Sequence, residues 1–218
     1  MTVALGPPVG PGIHVPDIDE VLRAARDVPD PGDWGAIAAG IVPIFERLRP
    51  FPFDVGQPLA AVLPPGVSVG IGYDFGPAFM KVTRELAARW PVSEREIVER
   101  ALANLRRRMG TGLHGLQTHR DSIDGIPFMA VRSGDGWAST LLLVPDLLET
   151  VFGCEPSLFL APMRDLLIAL PIDVDLEFAT SLTEGFEALD PNALCLEGFA
   201  WRSGRLTCRP LLRRAASA

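Results

Sequence analysis

Proline punctuates this chain more than any other feature does. It occurs 21 times in 218 residues, alongside as many glycines, and each proline fixes φ, removes a backbone donor and clashes with a preceding helical turn. A chain built this way folds only into short elements joined by many loops. Gly and Pro together still fall below the roughly 25–30% that marks low-complexity sequence. With 48% apolar residues, the chain can form a core, and its length suits one domain of ordinary size.

Residues 1–16 carry Pro7, Pro8, Pro11 and Pro16 and read as a flexible or surface-laid arm that also holds His14. From Asp17 to Asp27, Ile18, Val21, Leu22 and Ala25 recur at helical spacing, and Pro29-Asp30-Pro31-Gly32 ends the run. Asp33 caps a second expected helix over residues 34–48, with Ile37, Ile41, Ile44, Phe45 and Leu48 on one side, a kink at Pro43, and a stop at Pro50 and Pro52. Residues 17–52 are therefore expected as a helical segment packed on a main α+β domain of residues 53–210, with 211–218 as a tail.

Within the main domain, Leu59–Leu63 and Val67–Tyr73 read as a hairpin around Pro64-Pro65-Gly66. A strand is expected at Ala78–Thr83 and a short helix at Arg84–Trp90. Ser93-Glu94-Arg95-Glu96 is a capping box. It opens a helix with the stripe Ile97, Val98, Ala101, Leu102, Leu105 and Met109, and Gly110 is the expected stop. Leu113–Thr118 and Pro127–Arg132 read as strands joined through residues 121–125. Pro145 suits the start of a helix that runs to Phe152 and ends at Gly153. Ser157–Ala161 and Leu166–Leu170 are apolar runs of buried-strand length around the turn Pro162-Met163-Arg164-Asp165. An amphipathic helix follows at 173–189, and Leu194–Arg202 with Arg205–Cys208 closes the chain as a hairpin around Ser203-Gly204. The order predicts an α+β fold: a mixed or mainly antiparallel sheet of short strands and hairpins, packed with about four to five amphipathic helices.

Charge narrows the partners. With 20 Lys+Arg against 27 Asp+Glu the formal charge is −7, which opposes binding to phosphate backbones unless basic residues are concentrated. The runs available are Arg106-Arg107-Arg108, expected at a helix end where cations complement the dipole, and Arg213-Arg214 in the tail. No nucleic-acid partner is expected. The longest uncharged stretch, Val55 to Tyr73, is broken by Pro58, Pro64, Pro65 and glycines, so no membrane partner is expected either. Three cysteines, Cys154, Cys195 and Cys208, form no C-x-x-C pair. They point to a reducing cytoplasm, with Cys154 an exposed thiol and the other two small buried hydrophobes.

Candidate chemistry centres on His114 and His119, with Asp121 and Asp124 nearby. These are the weak metal-ligand candidates, but an odd separation along a strand sends 114 and 119 to opposite faces, whereas ligands must converge. His119 beside Asp121 has the form of a pair oriented for proton transfer, although no G-x-S-x-G nucleophile elbow accompanies it. Arg164-Asp165 reads as a tight turn, a place from which side chains can face a ligand. Gly70-Ile71-Gly72-Tyr73-Asp74-Phe75-Gly76 departs from phosphate-loop spacing and reads as a bent strand end. Asp173, Asp175 and Glu177 suit a helix N-terminus. No cofactor is expected.

A resemblance adds to this reading. It is carried by Ala78-Phe79-Met80-Lys81-Val82-Thr83, by the helix from Ser93-Glu94-Arg95-Glu96 through Ala101-Leu102-Ala103-Asn104-Leu105, by Ala138-Ser139-Thr140-Leu141-Leu142-Leu143 running into Pro145-Asp146-Leu147-Leu148, and by Ala161-Pro162-Met163-Arg164-Asp165 before Leu166-Leu167-Ile168. On these residues, positions 72–206 resemble the YtpQ-like family of bacterial proteins, a group of unknown function. The resemblance implies a shared fold and brings no activity or catalytic residue with it.

The leading expectation is a non-catalytic domain that binds a protein partner or itself. A mean hydropathy of +0.23, with Trp34, Trp90, Trp137, Trp201 and 11 Phe, suggests apolar surface covered by another subunit. The alternative is a hydrolase or metal-assisted enzyme using His119, Asp121 and Arg164.

Overall fold

The computed structural model describes residues 17–45, 57–63, 67–76, 78–190, 193–194 and 196–212. The expected arm, His14, Cys195 and Arg213-Arg214 lie outside the described residues. The fold is α+β, with two antiparallel sheets of four and six strands.

The N-terminal part departs from expectation in one place. Helix α1 (Ile18–Arg26) forms as predicted, capped by Asp17. Helix α2 (Trp34–Ile37) is capped by Asp33, whose Oδ1 accepts from Gly35 N at 2.8 Å, but it ends after four residues. The expected continuation to residue 48 is replaced by strand β1 (Ile41–Phe45), with residues 46–48 outside the described residues. Ile41, Ile44 and Phe45 satisfy a helical period, yet a strand buried on both faces also reads as an unbroken apolar run. Two residues decide between the readings. A Cβ on Gly40 would stand 2.5 Å from the Tyr73 ring, so glycine permits the chain to pass against the next strand. Pro43, which cannot donate, is accommodated because among the described residues β1 has a partner on one side only.

That partner is β3 (Val67–Asp74), with Pro43 opposite Ile71. On the other side of β3, β2 (Ala60–Leu63) pairs with residues 67–70 and β4 (Phe79–Lys81) with residues 72–74. Helix α3 (Arg84–Ala87), capped by Thr83, leads to α4 (Glu94–Gly112), which opens with the predicted capping box. Ser93 N donates to Glu96 Oε2 at 2.8 Å and Glu96 N donates to Ser93 Oγ at 3.3 Å. The helix runs through Gly110 to Gly112, so Arg106–Arg108 are not in its last turn and their expected dipole role does not hold.

The second sheet has the order β10-β9-β7-β8-β6-β5. A 3-10 turn over Leu113–Gly115 delays the expected strand, and β5 spans Gln117–Ile123. It joins β6 (Ile126–Arg132) through Asp124 and Gly125, whose φ values of 54° and 80° define a type I′ turn. A buried 3-10 segment, Ala138–Leu143, precedes α5 (Pro145–Phe152). Strands β7 (Ser157–Met163) and β8 (Leu166–Pro171) form the predicted buried hairpin. Asp175 caps α6 (Leu176–Glu187), accepting from Glu177 N at 2.7 Å. Strands β9 (Gly198–Arg202) and β10 (Arg205–Arg209) turn at Ser203-Gly204 as expected. The chain is packed beyond the expected tail boundary, since Leu211 is buried and Leu212 N donates to Thr180 Oγ1 at 3.0 Å.

Three apolar clusters hold these elements. Ile37, Ile41, Ile71, Trp90, Ile97 and Ala101 bury α2, α3 and α4 against one face of the first sheet. Val42, Ile44 and Val69 of that sheet share a larger cluster with Leu105, Leu142, Phe159, Leu167 and Trp201. Leu158, Leu160, Ile168 and Leu170 pack under α6 on the other face of the second sheet. Alternate residues of β7 and β8 thus enter different clusters, which is why both strands are continuously apolar in sequence. Helix α4 supplies Ile97 and Ala101 to one cluster and Leu105 and Met109 to another, and so fastens the two sheets together.

Candidate functional site

The predicted site residues are divided between two places. His119 and Asp121 lie on the same face of β5, two residues apart, with Nε2 to Oδ2 at 3.6 Å and both side chains more than half exposed. The distance is beyond a hydrogen bond, and the contact is ionic only when the imidazole is protonated. In open water such a pair contributes about 0–1 kcal/mol. The His119 ring also lies 5.9 Å from that of Phe128 on β6. His114 is in the 3-10 turn rather than the strand and is exposed. Among the described residues no group of three His, Cys, Asp or Glu side chains is placed to hold a metal.

Arg164 faces elsewhere. It sits in the β7–β8 turn with β8 and β6 between it and β5. Its guanidinium donates to the Phe45 carbonyl at 3.1 Å and lies 6.0 Å from the Phe79 ring centroid. This contact joins the second sheet to the first. Its neighbour Asp165 organises the loop after β6: Oδ1 accepts from Ser133 N at 3.0 Å, Ser133 Oγ at 2.7 Å, Gly134 N at 2.8 Å and Gly136 N at 3.3 Å, while Oδ2 stands 3.3 Å from Arg132. A carboxylate holding so many donors fixes a backbone shape rather than awaiting a substrate.

A cleft that sequence reasoning missed lies between α4 and the start of β1. It has a volume of about 380 Å³, and its polar lining includes Asp74, Asn104, Arg107, Arg108 and Thr111. Arg108 pairs with the nearly buried Asp74, stands 3.5 Å from Asp135 and covers the Trp137 ring at 4.5 Å. Arg107 donates to Asn104 Oδ1 at 3.0 Å, and the Thr111 hydroxyl donates to the Arg108 carbonyl at 2.9 Å. Arg106 reaches Asp146 of α5 at 2.6 Å. The arginine run is thus directed to four side-chain acceptors of the same chain, Asp74, Asn104, Asp135 and Asp146. The signal in the sequence was the position of Arg108, one residue before the buried Met109, at the margin of the apolar stripe.

The cysteines divide differently from expectation. Cys154 is exposed as predicted, but Cys208 on the terminal strand β10 is exposed too. Partial desolvation, and then the charge of Glu197, hold the Cys208 thiol above its ordinary pKa.

No family model matches this chain, and no curated protein or solved structure is detectably similar to it. No helix among the described residues is long and apolar enough to cross a membrane. What fold and geometry define is an α+β protein of two antiparallel sheets, with its expected acid–base pair on an open strand.

Proposed function

We propose that this chain is a non-catalytic domain that acts by binding a protein partner or a second copy of itself, in a reducing cytoplasm, and that it belongs with the YtpQ-like proteins it resembles. The observation that carries the reading is helix α1. Its apolar residues Ile18, Val21, Leu22 and Ala25 follow the i, i+3, i+4, i+7 pattern of a packing face, yet the helix contains no buried residue. Ile18 is 66% and Leu22 53% exposed. A helix of nine residues is too short to persist by propensity alone, so an amphipathic one gains its stability from the surface it packs against. The exposed, unpaired thiols of Cys154 and Cys208 support the reducing compartment.

Light scattering on the full chain, alone and after incubation with cell extract, tests the reading. The expected result is a species larger than one chain that is lost in the Ile18→Asp, Leu22→Asp double variant or in variants of another exposed surface. A monomer at every concentration, with nothing retained from extract, would sink it.

A further inference from the structure

We propose that β5 is the surface at which two copies of this chain join, by antiparallel pairing about a two-fold axis through Arg120 that continues the six-stranded sheet from one copy into the other. This rests on the interaction reading above and adds to the α1 face a second surface, one that joins two copies of the chain.

Among the described residues strand β5 ends the sheet; it pairs with β6 without interruption from Gln117 opposite Arg132 to Ile123 opposite Ile126, and is exposed at every residue but Ile123. It contains no proline, bulge or lysine; the charged side chains it does carry, Arg120 and Asp121, protect an edge only where a partner strand opposes like charges. The hairpin fixes which backbone groups are free. A two-residue type I′ turn makes Ile123 and Ile126 a hydrogen-bonded pair, so residues 117, 119, 121 and 123 direct their N–H and C=O groups to β6. Thr118, Arg120 and Ser122 therefore direct theirs outward. The phase is consistent on the far side, where Met129 and Val131 of β6 pair with β8.

Symmetry then selects the register. A two-fold axis perpendicular to a sheet keeps each side chain on its own face, so the opposed residues must be separated by an even number of positions. With Arg120 opposite its own copy, Thr118 meets Ser122 of the second copy and each outward group finds a partner. A shift of two positions in either direction leaves Thr118 or Ser122 unpaired. The same register places His119 opposite Asp121 of the second copy, and Asp121 opposite its His119. These are non-hydrogen-bonded positions, where side chains approach most closely. The shifted registers instead oppose His119 to His119 or Asp121 to Asp121.

The other free edge of this sheet lacks such complementarity. Self-pairing of β10 about Thr207 would set Arg205 against Arg209 twice, and the chain after Arg209 is held to the protein through Leu211 N and Leu212 N. On β5 the one like-charge pair is Arg120 with itself, at the wider hydrogen-bonded spacing and with a long, exposed side chain.

Disulfide cross-linking of the full chain tests this. Cα atoms of a hydrogen-bonded antiparallel pair stand about 5.5 Å apart, inside the span a disulfide accepts. Arg120→Cys is expected to give a cross-linked dimer under mild oxidation, above the wild-type background from Cys154 and Cys208, while Ser122→Cys does not. Asp121→Lys is expected to weaken dimerisation about tenfold and Arg120→Thr to strengthen it, both with unchanged circular dichroism. If wild type dimerises but Arg120→Cys fails to cross-link, or Ser122→Cys cross-links equally, the β5 proposal falls and the interaction reading stands. A wild-type monomer at every concentration overturns the β5 proposal, and the interaction reading falls with it when nothing is retained from extract either.

Discussion

The side-chain amide of Asn104, in the middle of α4, donates to the Ile41 carbonyl at 2.8 Å and to the Ala38 carbonyl at the same distance. These acceptors flank the point where the chain leaves α2 and enters β1. Asn104 itself is buried, between the residues α4 gives to one cluster and those it gives to the other. The relationship explains why a polar residue occupies an otherwise apolar stripe: without it, carbonyls at the helix-to-strand transition would lose their partner where water is scarce.

Asn104→Leu should therefore destabilise the protein by about 1–3 kcal/mol, the usual cost of leaving buried acceptors unsatisfied. Urea denaturation measures it. A midpoint equal to wild type would show that the amide has no part in joining α4 to β1.

Asp165→Ala removes the acceptor shared by Ser133, Gly134 and Gly136 and should cost about 2–3 kcal/mol, with Asp165→Asn milder because one oxygen remains. Hydrogen exchange at Gly134 and Gly136 should accelerate selectively. Acceleration spread evenly over the chain would instead mean that Asp165 supports the whole fold and not this loop.

Gly40→Ala should cost about 1–3 kcal/mol through overpacking, because the added methyl meets the Tyr73 ring. If the contact is the cause, Gly40→Ala combined with Tyr73→Leu should recover most of the loss in thermal denaturation. Independent, additive effects would place the strain elsewhere.

The capping box gives a pH dependence of known sign. The Ser93 N–H, and then the Ser93 hydroxyl, hold the Glu96 carboxyl below its usual pKa. A group depressed in the folded state stabilises it above the unfolded value, and that stabilisation is lost as pH falls through the folded value. Between about pH 7 and about pH 3, Glu96→Gln, which has no carboxylate to protonate, should lose less stability than wild type does. Equal losses would exclude the cap as a source of the acid sensitivity.

Much of the fold is set by signals that act within a few residues. The caps Asp17, Asp33, Thr83, Ser93 and Asp175 each accept from a backbone N–H no more than three positions away, and Ser203-Gly204 turns the chain through its own φ values. Such features need no knowledge of distant contacts. The unbroken apolar runs of β7 and β8 were legible for a related reason, since burial on both faces leaves no other pattern. The residues of the candidate site were legible only in part: the contact between His119 and Asp121 follows from their spacing on one strand, whereas the direction of Arg164 does not.

Tertiary structure decided what local chemistry leaves open. Residues 41–45 fit a helix and a buried strand equally by pattern, and pairing with β3 settled them. The salt bridge of Arg108 with Asp74 spans 34 positions, a separation at which spacing carries no information about contact. The open edge of β5 depends on its place at the end of the strand order, because a polar strand has the same sequence whether its edge is covered or open. Short-range hydrogen bonds and turn dihedrals are encoded where they occur. The partner of a strand edge is fixed only by the free energy of bringing distant segments together.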